Sequence, residues 1–252
     1  MGSIEDYRRF MKSMFGKVSA GSSDQSRGVS PPPLEAPYDA KAELVALPQV
    51  SRDVVVRPDI FECIARRRSR RDWTDEPLTI EQVSFLLWAT QGVTEVLAGG
   101  RATLRTVPSG GARHPFETYV VANSVTGLDA KVYRYLPLTH RLLPLFEMNS
   151  RRREDLTRAM LGQRFAAHAP VVFIWSCVPY RGEWRYTLAA HKTMLLDAGH
   201  MCQNLYLACE AIGAGTCAIG AYDQESLDAF LNLDGNDEFA VYTAPVGWPT
   251  ER

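Results

Sequence analysis

The chain of 252 residues carries almost no net charge: 28 lysines and arginines stand against 29 aspartates and glutamates, a formal −1. That balance exerts no global pull on nucleic acid or an anionic membrane, so any anion must be recognised locally. Long apolar runs are missing too. The longest, Ala169 to Val178, is about half of what a bilayer span needs and predicts a buried strand. No apolar h-region follows the early charges Glu5, Asp6, Arg8 and Arg9, which argues against a secretory leader. Asp6 stands where a myristoylation motif at Gly2 requires Ser or Thr. Cysteine is scarce and unpaired in pattern. Cys63, Cys177, Cys202, Cys209 and Cys217 include no C-x-x-C spacing, so neither a zinc knuckle nor a redox pair is indicated. Cys202 and Cys209, seven apart, read as small core residues of a helix, and a reducing, cytoplasmic setting is the expectation. G-x-G-x-x-G, G-K-[ST] and H-E-x-x-H are all absent. His114, His140, His168, His191 and His200 show no ligand-pair spacing, and no metal is expected. Ser109, His200 and Asp197 could be assembled on paper into a hydrolase, but nothing like a nucleophile elbow surrounds Ser109.

What is present divides the chain in two. Residues 1–50 hold a short amphipathic segment, Ile4 to Phe15, then Gly21-Ser22-Ser23 and Pro31-Pro32-Pro33. Triple proline fits neither a helix nor a central strand, so this part is expected to be an extended arm laid on the domain or on a partner subunit. Residues 51–252 form the domain. Ile60, Ile64 and Ala65 mark a helix running into Arg66-Arg67-Arg68-Ser69-Arg70-Arg71. Thr79-Ile-Glu-Gln82 is a capping-box signature for a helix through Thr90, with Gly92 as a left-handed terminator. Strands are expected at Thr118–Ala122, Lys131–Tyr135, Leu142–Phe146 and Phe239–Val246. Ser150 could cap a helix reaching Phe165. The strongest period runs from Tyr186 to Ile212: Leu195, Ala198, Cys202, Leu205, Cys209 and Ile212 share one face, with Leu188, Met194, Met201 and Leu207 on others. Such a helix is expected to be central and buried. Strands and helices mix without βαβ alternation, which points to an α+β fold.

Three segments could carry chemistry. Arg67, Ser69 and Arg71 offer two guanidinium forks and a hydroxyl to a phosphate, though cations at a helix end also suit its dipole. Pro108-Ser109-Gly110-Gly111 lets a backbone approach a flat ligand closely, or is an ordinary turn. Thr216 to Asp223 leaves a strand and enters a helix at Gln224, where free N–H groups can donate, or is a plain connection capped by Asp223.

Their order resembles the nitroreductase family. Arg67-x-Ser69-x-Arg71-x-Trp73 looks like its FMN-phosphate motif. Arg105-Thr-Val-Pro108-Ser109-Gly110-Gly111-Ala-Arg-His-Pro115, Asp197-Ala-Gly-His200 with Gln203-Asn-Leu-Tyr206, and Gly213–Asp223 are similar to its SagB-type dehydrogenase branch. The resemblance covers residues 57–249. It implies a mainly antiparallel mixed sheet flanked by helices around a long central helix, and a homodimer with FMN at the interface. Arg67, Arg68, Ser69 and Arg71 would hold the phosphate and ribityl end. Pro108, Ser109 and Gly110 would reach the flavin from the partner subunit, and Gly220 and Ala221 would present N–H groups to N5 and O4.

Two positions depart from the branch. Its azoline-oxidising members place Lys-Tyr ahead of the central helix, where this chain has Arg185-Tyr186, and Lys192 stands in place of a downstream arginine. A guanidinium cannot serve as a base, so Tyr186 is the candidate proton carrier, with Arg185 beside it. The expected activity is FMN-dependent dehydrogenation of a small or peptide-borne substrate. The alternatives are a reductase using NAD(P)H with a nitro or quinone acceptor, and a non-catalytic flavin-binding or interaction module.

Overall fold

Ala169–Val178 is apolar at every position but Ser176, as suits a strand covered on both faces, and the architecture is built around it. The computed structural model describes residues 2–19, 21–97 and 99–250. In chain order the elements are α1 (Ile4–Phe10), β1 (Val45–Ala46), α2 (Ile60–Arg66), β2 (Leu78–Thr79), α3 (Ile80–Gln91), β3 (Val93–Leu97), β4 (Ala102–Arg105), β5 (Phe116–Ala122), β6 (Val125–Thr126), β7 (Lys131–Leu136) and β8 (Arg141–Glu147). There follow α4 (Ser150–Ala159), α5 (Arg164–Ala167), β9 (Val171–Cys177), α6 (Tyr180–Tyr186), α7 (Ala190–Ile212), β10 (Gly215–Thr216), α8 (Gln224–Leu231) and β11 (Phe239–Gly247). The main sheet runs β1-β8-β7-β5-β9-β11-β10, and all its pairings are antiparallel.

Alternation along β5 and β9 sorts side chains into two layers. Phe116, Val120, Val171, Phe173, Trp175 and Cys177 face the helices α3 and α7. Tyr119, Val121, Val172 and Ile174 face α4 and α8. The fold is therefore the expected α+β arrangement of a mainly antiparallel sheet flanked by helices with one long helix. All five cysteines are free and buried, and burial pushes the Cys202 thiol up to about 12. They act as core packing. Among the described residues, no helix is long and apolar enough to cross a membrane.

Several local expectations are corrected. The capping box at Thr79 is present, with Gln82 N–H donating to the threonine hydroxyl and Thr79 N–H to the Gln82 side chain. Gly92, however, is not left-handed: its φ is −58° and ψ 130°. A Cβ there would collide with the Trp88 ring, so the glycine serves close approach. The helix expected to reach Phe165 is broken after Ala159, where Leu161 and Gly162 take positive φ, and Asn149 is its cap in place of Ser150. The helix expected from Tyr186 begins four residues later, at Ala190: Thr187, at φ 47°, separates it from α6, which ends at Tyr186. Nor is α7 buried all round. Leu195 and Leu196 are 49% and 56% exposed, and Gly199, His200 and Gln203 extend the open strip. Leu195 thus leaves the face it shares in the sequence pattern with buried Ala198, Cys202 and Leu205.

The arm lies on its own chain. Leu34 O accepts from Arg105 Nη2 at 3.2 Å, Ala36 O from Arg134 Nη2 at 2.9 Å, and Ala36 N–H donates to Glu117 at 2.7 Å. Arg181 and Glu117, each 2% exposed, form a buried pair beneath it.

Candidate active site

The start of α7 gathers one group of the sequence-derived candidates. Asp197, one turn and more into the helix, is turned inward. Its Oδ2 accepts from Ser109 Oγ at 2.8 Å and from Gly110 N at 2.9 Å. Ser109 Oγ in turn accepts from His114 N at 2.9 Å. Burial raises the Asp197 carboxyl, and these two donors partly offset the rise. Ser109 therefore faces a carboxylate, and His200 sits 3.9 Å from the other Asp197 oxygen. The serine has no imidazole base.

Arg185 and Tyr186 close over the same loop. Gly111 has φ 61°, and a Cβ on it would overlap Tyr186 Oη and come within 2.8 Å of the Arg185 stem. A positive φ and a close approach together require glycine here. The Arg185 guanidinium lies 5.3 Å from the Tyr186 ring centroid, within cation–π range. Gly110 meets Thr193 in the same way. Arg185, Tyr186, Ser109, Gly110 and Gly111 thus form one cluster, with exposed Pro108 at its edge.

A second cluster forms at the far end of α7. Ser69 bridges to Thr216 in parallel register, and Arg70 N–H donates to Thr216 O at 3.0 Å. This stitching brings the basic run against β10 and the segment after it. Ser69 Oγ and Tyr206 Oη are 2.9 Å apart, Tyr206 Oη accepts from Ala218 N at 2.8 Å, and the Arg67 guanidinium lies 5.2 Å over the Tyr206 ring. No acidic side chain pairs with Arg67 or Arg71 among the described residues. Arg68 instead turns back to the Ala65 and Arg67 carbonyls, capping α2 and standing apart from the others. Ser69, Arg70, Arg71, Asp72, Pro249 and Thr250 line a recess of about 310 Å³. Gly220 and Ala221 are exposed. A Cβ on Gly220 would meet nothing within 4 Å, and the Ala221 carbonyl is held by Gln163 Nε2 at 2.8 Å.

Sequence reasoning missed the organising roles of Asp197 and Tyr206. Each is a polar side chain at a position where an otherwise apolar helix needs a reason to keep one, and that was the available signal. The Phe15 ring, 5.5 Å from that of Tyr186 in an edge-to-face pair, left no signal at all.

The family model for the nitroreductase family matches residues 64–248. The chain belongs to that family. As a nitroreductase-family protein, a group whose members are in general flavin-dependent oxidoreductases, it shares 32% identity over 195 residues with a homologue from Methanocaldococcus jannaschii, covering 75% of this chain and 93% of that one. It is also similar to the trifolitoxin-processing protein TfxB of Rhizobium leguminosarum bv. trifolii, 30% identical over 171 residues. That match spans 65% of this chain and 46% of TfxB. Among solved structures, a nitroreductase-family protein of Ralstonia eutropha JMP134 superposes with a TM-score of 0.68 at 26% identity, over 88% of this chain and 99% of that one. A chain of the E. coli microcin synthetase McbBCD complex, solved with truncated pro-MccB17 bound, shares the fold with a TM-score of 0.62 at 19% identity, over 97% and 91% of the two chains.

Proposed function

We propose that this nitroreductase-family protein is an FMN-dependent dehydrogenase of the SagB type, acting as a homodimer on a small or peptide-borne organic substrate. The observation that carries the cofactor is that Arg71 and Ser69 share one recess, with the Arg67 guanidinium over the Tyr206 ring that Ser69 meets, and neither arginine forms an ion pair among the described residues although Asp72 also lines the recess. Two arginines near a hydroxyl suit a phosphate dianion. Arg67, Ser69 and Arg71 would hold that phosphate, with Arg68 supporting the turn. Neither the Gly220 nor the Ala221 N–H is bonded within the chain among the described residues, leaving both to donate to the ring edge. When bound, FMN supplies hydride transfer at N5.

Helical geometry supports two chains per site. Asp197 and Tyr206 are nine residues apart on α7, about 13 Å along the axis and about half a turn around it. In one chain, then, the Pro108–Gly111 loop and the phosphate run approach α7 from opposite sides. A loop supplied by a second copy would let both segments face one ligand. The open strip with Leu195 and Leu196, and exposed Ile60, Phe61 and Ile64 on α2, offers an apolar face for that copy. Substrate dehydrogenation is supported by the likeness to TfxB, whose name describes trifolitoxin processing. Tyr186, clamped between Gly111 and Arg185, is the residue placed to take or give a proton.

The test is a flavin titration of the purified protein with sedimentation equilibrium. A yellow dimer with one FMN per chain is expected, FAD binding more weakly. A colourless protein that leaves FMN absorption unperturbed would sink the proposal and favour a flavin-free binding module. A monomer with stoichiometric FMN would defeat the two-chain site. Rapid flavin reduction by NAD(P)H, indifferent to Tyr186→Phe, would replace the dehydrogenase with a nicotinamide-dependent reductase.

A further inference from the structure

The arm crosses the Arg185–Tyr186 end of α6 and is fastened there. Gln25 N–H donates to Trp184 O at 2.9 Å, Trp184 Nε1 to Val29 O at 2.9 Å, and Tyr180 Oη to Asp24 at 2.7 Å. These bonds bring Phe15 onto the Tyr186 ring. Between α1 with its following turn and the first turns of α7 lies a cavity of about 520 Å³, within the range of small-molecule sites.

Its walls are apolar: Phe10, Met14 and Phe15 from the arm, Leu188 and Leu196 from the helix side. Its charges are uneven. Asp6 lines it, but that carboxylate is engaged by Ser3 N–H and Oγ in the cap of α1. His191 is held by Glu183, Nε2 to Oε1 at 2.8 Å. Arg9 and Lys192 line the same cavity with no acidic partner among the described residues. The Ser3 bonds favour the ionised Asp6, so one carboxylate stands against the two cations Arg9 and Lys192 and the balance is cationic. The cavity also abuts the candidate reacting groups, since Thr193 in its wall touches Gly110 and Phe15 is shared with Tyr186.

We infer that this cavity binds a small organic acid, with Arg9 and Lys192 taking the carboxylate and the apolar walls taking an aromatic or branched aliphatic body. The N-terminal arm, which supplies half the walls and one of the cations, sets that preference. This deepens the proposed function and rests on it for the statement that the acid presents its body to the reacting groups; the binding itself does not need flavin.

Calorimetric titration of the purified protein with 3-phenylpropionate and its neutral isostere 3-phenylpropanamide, at low salt, tests it. The acid should bind at least about tenfold more tightly than the amide, on the scale of a charge-assisted hydrogen bond. Lys192→Ala and Arg9→Ala should each remove most of that ratio while leaving the amide's affinity alone, and Phe15→Ala should weaken both ligands. Limited trypsin digestion at Arg8 to Lys17 reports whether the arm stays docked. Lys192 lies on α7, outside the arm, so its variant decides if an arm variant detaches. Equal binding of acid and amide, or an acid preference intact in Lys192→Ala, overturns the inference. A protein that prefers the acid but ignores FMN would sustain this site and sink the proposed function. A yellow protein blind to the acid would do the reverse.

Discussion

Asp197 holds the Ser109 loop with one oxygen: Oδ2 accepts from both the Ser109 hydroxyl and the Gly110 amide, at 2.8 and 2.9 Å. One buried carboxylate thereby sets the backbone path of the loop that meets Tyr186 and Arg185. Because burial raises the Asp197 carboxyl, its ionised form is disfavoured in the fold. The stability it contributes is greatest in acid and falls as pH rises through the ordinary carboxylate range to the raised value. Asp197→Asn keeps an acceptor oxygen and sheds the charge, so its urea midpoint at neutral pH should stay close to that of the unaltered protein. Asp197→Ala strands two donors and should cost about 1–3 kcal/mol. Equal losses in the two variants would show that the charge, not the acceptor, matters.

Tyr186 is the position that separates a proton carrier from a structural clamp. Tyr186→Phe keeps the ring against Phe15 and the Arg185 stack, so FMN affinity should be unchanged. Substrate oxidation in stopped flow should slow by roughly 10²–10⁴-fold, the usual scale of general acid–base help. An unchanged rate assigns the hydroxyl to packing alone.

Arg71→Ala should weaken FMN by about 1–3 kcal/mol in a titration at fixed salt. Tyr206→Phe should cost less, about 1 kcal/mol, because it loosens Ser69 and leaves Ala218 N–H without its acceptor without touching the phosphate. Full affinity in Arg71→Ala would place that arginine on a solvated surface.

His114 gives the fold an acid limit. It is 4% exposed, its Nε2–H donates to Thr103 O at 3.1 Å, and burial, aided by Arg105, pushes its pKa down to about 3. The unfolded imidazole takes up a proton near pH 6.5. Its contribution is therefore fully present above that pH and is lost as pH falls toward about 3, at roughly 1.4 kcal/mol per pH unit. His114→Asn tolerates the local φ of 43° and can still donate. Urea midpoints at pH 7 and pH 5 should converge in this variant; a gap as wide as in the unaltered protein would refute the assignment.

Much of the architecture follows from local sequence. A nearly continuous apolar run made β9 readable, because burial on both faces leaves Ser176 as its one polar position, and a β-branched and aromatic run between turns did the same for most of β5. The caps at Thr79 and Asp223 were readable because their hydrogen bonds close within three residues. The basic run and the Pro108–Gly111 turn could be named as candidates from residue type, since phosphate recognition and close backbone approach each demand particular side chains. What tertiary structure alone decided is of another kind. Thr187 sets where the long helix starts by ending α6 ahead of it, and Gly92 is required by the Trp88 ring, not by its own φ. Leu195 and Leu196 stay exposed because, among the described residues, the arm reaches that side of α7 only as the far wall of the cavity that Leu196 lines. Phe15 meets Tyr186 across 171 positions of sequence, a distance no local spacing encodes. Asp197 and Tyr206 organise separate clusters because a helix points residues nine apart in opposite directions, while which loop answers each one depends on how the sheet brings distant segments to the two ends of α7.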